Sequence, residues 1–149
     1  ERERQRQKMA NAVESARSPL YDDKRTLEER GFDYDEIHNM FMEFDQRHFR
    51  GKLKDVKLEW SNRMTRSAGM CYYRPRNEVT TTIGLSKHLL RQRPVIDLVE
   101  TMLHEMIHAI LFIKGDFKHG HGKRFKKEAA RVSKESGTSI THYHNFTCE

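Results

Sequence analysis

Val95-Ile96-Asp97-Leu98-Val99-Glu100-Thr101-Met102-Leu103-His104-Glu105-Met106-Ile107-His108-Ala109-Ile110-Leu111-Phe112-Ile113 is the most apolar stretch of this 149-residue chain. Pro94 suits the first turn of a helix that starts here, where a missing N–H would be unsatisfied in any case. A helix apolar on nearly every face belongs at the buried centre of the molecule. His104, Glu105 and His108 therefore carry a desolvation cost unless a partner satisfies them.

Residues four apart lie one turn apart on one helix face. The imidazoles of His104 and His108 can thus reach a single metal ion, with Glu105 close enough to act on a water bound there. The alternative is a pair of core histidines bonded to the backbone, with Glu105 in an ion pair. Zinc with two protein nitrogens needs a third ligand and leaves the fourth position to water in a catalytic centre. Two residues compete for that place. His121, set as Gly120-His121-Gly122, is favoured because small neighbours let a loop fold back on the helix; Glu128 is the rival, and His119 is a weaker option. A Lewis-acid site of this kind hydrolyses polarised carbonyls, peptides most naturally, with Glu105 taking the proton of the water. Tyr143 or His144 could stabilise the oxyanion that forms.

Outward from the central helix, Asp33 to Phe49 keeps helical spacing through Ile37, Met40, Phe41, Phe44 and Phe49, and Gly51 stops it. Val56, Leu58 and Trp60 alternate with charged residues as in a half-buried strand. Ala68–Tyr73 and Val79–Leu85 read as two more strands about the turn Arg74-Pro75-Arg76-Asn77, giving an antiparallel meander or a small mixed sheet. Ser86 can cap a short turn over Leu89 and Leu90. Beyond a loop from Lys114 to Gly122, Lys123 to Ser136 reads as a helix closed by Gly137, and Thr138 to Phe146 as a strand or extended tail. Residues 1–31 read as a peripheral charged arm or helix, and 32–149 as one α+β domain in which a three-stranded sheet packs on helices.

Composition narrows the class. Apolar residues make up 36% against 34% charged, yet eight Phe, five Tyr and seven Met argue against disorder. No run approaches the roughly 18 apolar residues of a membrane span, and the alternating charges of Glu1 to Lys8 are unlike a signal peptide. Cys71 and Cys148 cannot form a disulfide framework. The formal net charge of +6 is concentrated: residues 44–93 hold twelve basic side chains against four acidic ones. Such an excess attracts polyanions, nucleic acid first, because each neutralised phosphate releases counterions; a solvated basic face is the other reading.

Three joined motifs carry a family resemblance: Trp60-Ser61-x-Arg63-Met64-Thr65-x-x-Ala68-Gly69, then Leu98-Val99-Glu100-Thr101-x-Leu103-His104-Glu105-Met106-Ile107-His108-Ala109, then Gly120-His121-Gly122-x-x-Phe125. Together with the ending Ile140-Thr141-x-Tyr143-His144-x-Phe146 they resemble the SprT-like metalloproteases, most closely the Spartan branch, over residues 33–146.

The resemblance implies a zincin-like domain with one catalytic zinc ion, its ligands His104, His108 and His121 and its catalytic residue Glu105. It implies a DNA-dependent endopeptidase that degrades proteins crosslinked to DNA during replication. DNA, single-stranded or junction-containing, would be the activator, and the setting nuclear and chromatin-associated. Arg63, Arg66, Arg74 and Arg76 are then candidate phosphate contacts, and Trp60, Tyr72 or Tyr73 could stack on exposed bases, although Trp60 is in phase with the core residues Val56 and Leu58. Members of that branch continue into a small zinc-binding subdomain that contacts DNA, expected to be absent from a chain ending at Cys148-Glu149, and regulatory partners are expected to bind regions outside it. The rival function is a non-catalytic, zinc-containing adaptor that binds DNA or chromatin.

Overall fold

The computed structural model describes residues 2–4, 19–74, 80–118 and 120–141, and the elements between residues 19 and 141 position the core. They are α1 (Pro19–Asp22), α2 (Leu27–Arg30), α3 (Tyr34–Phe49), β1 (Lys57–Ser61), β2 (Gly69–Arg74), β3 (Thr80–Ser86), α4 (Lys87–Leu90), α5 (Val95–Ile113) and α6 (Lys123–Ser136). Among the described residues no helix is long and apolar enough to cross a membrane.

The sheet is mixed, in the order β1-β3-β2. β3 runs parallel to β1, with Leu58 beside Ile83, and antiparallel to β2, with Cys71 beside Ile83. A parallel pair needs a return excursion between its strands, and β2 supplies it on the far side of β3. The central strand is accordingly buried along most of its length. Ser86 ends β3 and also caps α4, its hydroxyl accepting from the Leu89 N–H and donating to the Met64 carbonyl.

α5 packs against β2 and β3 on one side and against α6 and α1 on others, which is why its residues are apolar all round. α3 covers the same core. Asp33 caps its start by accepting from the Glu36 N–H, and Ile37, Met40, Phe41 and Phe44 form its buried stripe. The helix stops where Arg50 and Gly51 take positive φ, of 56° and 73°. The buried carboxylate of Asp45 accepts from the Leu53 N–H at 3.0 Å and fixes the turn that follows.

One expectation gives way here. Residues up to 31 read as peripheral, but Tyr21 and Leu27 are buried in the common core. α2 is tied down by a reciprocal cap between Thr26 and Glu29, and its Leu27 N–H donates to the Arg93 carbonyl at 2.9 Å. Four-residue helices are too short for periodicity to reveal, so the charges around them dominate the reading. The rest of that arm, residues 5–18, lies outside the described residues.

Phe44 has no exposed surface. Phe44→Ala should lower the unfolding free energy in a urea titration by about 3 to 5 kcal/mol, the usual cost of such a cavity.

Candidate active site

His104 and His108 project from one face of α5, and the loop between α5 and α6 brings His121 to meet them. The Nε2 atom of His121 lies 3.0 Å from that of His108 and 3.2 Å from that of His104. Among the described residues these three side chains form the group able to hold a metal ion. Imidazole lone pairs brought this close repel one another unless a proton or a cation lies between them, so the donor set itself fits a metal.

Two features hold the histidines in this arrangement. The Nδ1 of His104 lies 2.7 Å from the Thr141 carbonyl oxygen, which can only accept. His104 must therefore carry its proton on Nδ1 and present the Nε2 lone pair to the centre. Phe125, in the first turn of α6, is fully packed beneath all three rings, with centroid separations of 4.9 Å to His104 and 4.7 Å to His108 and His121. The chain that leads to Thr141 is pinned in turn: the Ser139 N–H donates to Glu100 Oε2, and the Ile140 N–H to Ser133 Oγ.

Glu105 is 1% exposed and faces β2. Burial pushes its carboxyl up to about 8, a range in which it can take and return a proton near neutral pH, and a neighbouring cation would draw it down again. The strand leaves room for it by having no side chain at Gly69. A Cβ there would lie 2.8 Å from Thr101 Cγ2 and 2.9 Å from Glu105 Cγ. Glu105 and His108 open onto a cleft of about 410 Å³, walled by Gly69, Met70 and Cys71 on one side and by Leu111, Phe112 and Phe117 on the other. Burial raises the Cys71 thiol, with Glu105 adding to the shift, so that wall is uncharged.

The rival ligand Glu128 is engaged elsewhere: its Oε2 accepts from Arg131 Nε at 2.7 Å, and it lines a different cavity from Glu105 and His108. Arg63 and Arg66 are exposed on the connection between β1 and β2 and do not line the cleft. Trp60 packs against the core, as its phase with Leu58 suggests, and the Tyr72 hydroxyl donates to Glu59. Arg74 ends β2, while Arg76, His119, Tyr143 and His144 lie outside the described residues. Phe125, Gly69 and the Thr141 carbonyl are the supporting groups that spacing arguments about ligands did not single out.

A small mixed sheet packed on a helix that bears His-Glu-x-x-His, with a third histidine from the next loop, defines a zincin-like metal-dependent domain. The chain belongs to the SprT-like family, whose sequence model matches residues 37–144. It is 46% identical over 113 residues to the DNA-dependent metalloprotease SPRTN of Danio rerio, covering 74% of this chain and 18% of that protein. Likeness to the DNA-dependent metalloprotease dvc-1 of Caenorhabditis elegans is 46% over 115 residues, 74% of this chain and 31% of the relative. For SPRTN of Homo sapiens the identity is 43% over 113 residues, 74% of this chain and 23% of the relative. The chain thus spans less than a third of the length of these curated relatives.

Gly69→Ala should destabilise the protein by about 1 to 3 kcal/mol in thermal melting, because the new methyl meets both Thr101 and Glu105. Adding Thr101→Ser, which deletes the nearer methyl, should recover part of that loss; simple additivity would contradict the contact.

Proposed function

We propose that this chain is the protease module of a DNA-dependent zinc endopeptidase that cleaves proteins crosslinked to DNA, working on chromatin in the nucleus. The observation that carries the reading is the convergence of three imidazole nitrogens beside a buried carboxylate at the floor of an open cleft. The relatives described as DNA-dependent metalloproteases support the rest.

Zinc suits the donor set. A tetrahedral ion with bonds of about 2.0 to 2.1 Å to nitrogen asks for ligand atoms about 3.3 Å apart, near the spacings of 3.0 and 3.2 Å. Three neutral imidazoles leave one position open, as catalytic zinc requires. His104, His108 and His121 would hold the ion, which supplies Lewis-acid polarisation of a carbonyl and a lowered water pKa when bound.

The chain's own residues do the remaining work. Glu105 accepts the proton of the attacking water and returns it to the departing amine nitrogen, a role its place beside His108 at the cleft allows. Among the described residues β2 is an edge strand, and its Gly69, Met70 and Cys71 line the cleft. An extended peptide laid along that edge can pair with its backbone, bringing a carbonyl to the histidines without demanding a particular side chain. Selectivity then comes from tethering, since DNA concentrates the enzyme on whatever protein is attached to it.

The adaptor alternative gains no observation in its favour, because a purely structural centre has no use for a water-activating carboxylate in an open cleft. Glu105→Gln should retain one zinc per chain by elemental analysis and lower cleavage of a DNA-crosslinked protein by at least about a hundredfold. Unchanged cleavage would reject Glu105 as the base. His121→Ala should lose most of the bound zinc, whereas Glu128→Ala should keep it; the reverse pattern would reassign the third ligand.

A further inference from the structure

A second cavity, of about 420 Å³, opens where the ends of α3 and α5 meet α6, and it shares no wall with the active cleft. Five cationic side chains line it, Arg47, Arg50, Lys52, Lys114 and Arg131, against the carboxylates of Glu128 and Glu135. Arg131 engages both carboxylates, at 2.7 and 3.1 Å, and donates to the His48 carbonyl at 2.8 Å. Lys114 stays 3.9 Å from Glu128, and Arg47 lies 3.8 Å from Glu43 on its own helix. Among the described residues neither Arg50 nor Lys52 is in an ion pair. The recess therefore holds a surplus of positive charge, and low-dielectric walls focus its field.

Arg50 is also the non-glycine residue with positive φ among the described residues. It occupies the position just past a helix end where glycine is usual, in a conformation that L side chains disfavour. Backbone strain of this kind gathers at binding sites, and here its effect is to set a cation on the cavity wall. Lys52, Lys54 and Lys57 follow it in sequence as exposed side chains, with the exposed Asp55 among them, while Leu53, Val56 and Leu58 are buried.

We propose that this cavity binds the phosphodiester backbone of DNA, with Arg50 and Lys52 contacting phosphate and Arg131 held as a fixed wall by its two carboxylates. The proposal rests on the reading of the chain as part of a DNA-dependent protease, and it places a phosphate site away from Arg63 and Arg66. The position has a consequence for that activity. Ile110 and Lys114 line the cavity while Leu111, Phe112 and Asp116 line the cleft, so both open at the same end of α5. DNA seated in the cavity is separated from the cleft by about the 10 Å width of one helix, next to the loop that delivers His121.

The test is fluorescence anisotropy of a labelled oligonucleotide with the whole zinc-loaded chain between 50 and 200 mM salt. The wild type should lose affinity linearly in log[salt], and Arg50→Gly with Lys52→Gln should make that slope shallower by about 1.5, the share of two phosphate contacts. Arg50→Gly alone should weaken binding yet melt at or above the wild-type temperature, since glycine relieves the strained backbone. A double variant with the wild-type slope, or a wild type that does not bind, would overturn the cavity; so would loss of an acidic peptide's binding with DNA affinity intact. If DNA still stimulates cleavage of a DNA-attached protein in any of those cases, the protease reading survives. If DNA binds through Arg50 and Lys52 without stimulating cleavage, that reading fails while the site stands.

Discussion

Three imidazoles brought together, with the Nε2 of His121 3.0 Å from that of His108 and 3.2 Å from that of His104, are the constraint around which this molecule is arranged. Without a proton or a cation between them their lone pairs repel, so other groups must hold the geometry. α5 fixes two of the rings by helical periodicity, Phe125 supports all three, and the Thr141 carbonyl fixes which nitrogen of His104 faces inward. Each enforcing group sits on a different segment, and those segments are brought together by burial of the apolar faces of α5 and α6. The packing of the core and the competence of the site are therefore one physical problem.

Where the sequence carries strong local periodicity, its reading and the structure coincide. Lys123 to Ser136 with Gly137 as its stop is α6, and Val95 to Ile113 is α5. β1 instead lies one residue further along than alternation suggests, and β2 begins and β3 ends one residue later, because alternation marks facing but not where hydrogen bonding begins. The pairing of β1 with β3 is a long-range contact that no local pattern encodes. α1 and α2 escape notice for want of a second turn.

The site shows the same division. His104, Glu105 and His108 are legible because one helical turn imposes their spacing. His121 and Glu128 compete on paper, yet Arg131 stands three residues after Glu128 and four before Glu135, a pattern that already signals a paired carboxylate on the helix surface. The Thr141 carbonyl could not have been found, since a backbone oxygen is common to every residue. Gly69 is legible only as a small residue; what it makes room for depends on the approach of β2 to α5.

α5 thus separates two chemically different openings at one end, an apolar-walled cleft with a proton acceptor and a polar recess rich in cations. The claim on which the functional account rests is the identity and number of atoms at the centre. X-ray absorption at the zinc edge of the loaded protein tests it most directly. Three nitrogen scatterers at about 2.0 to 2.1 Å and one oxygen completing a tetrahedron are expected. A shell containing sulfur, or one with fewer than three imidazoles, would contradict it.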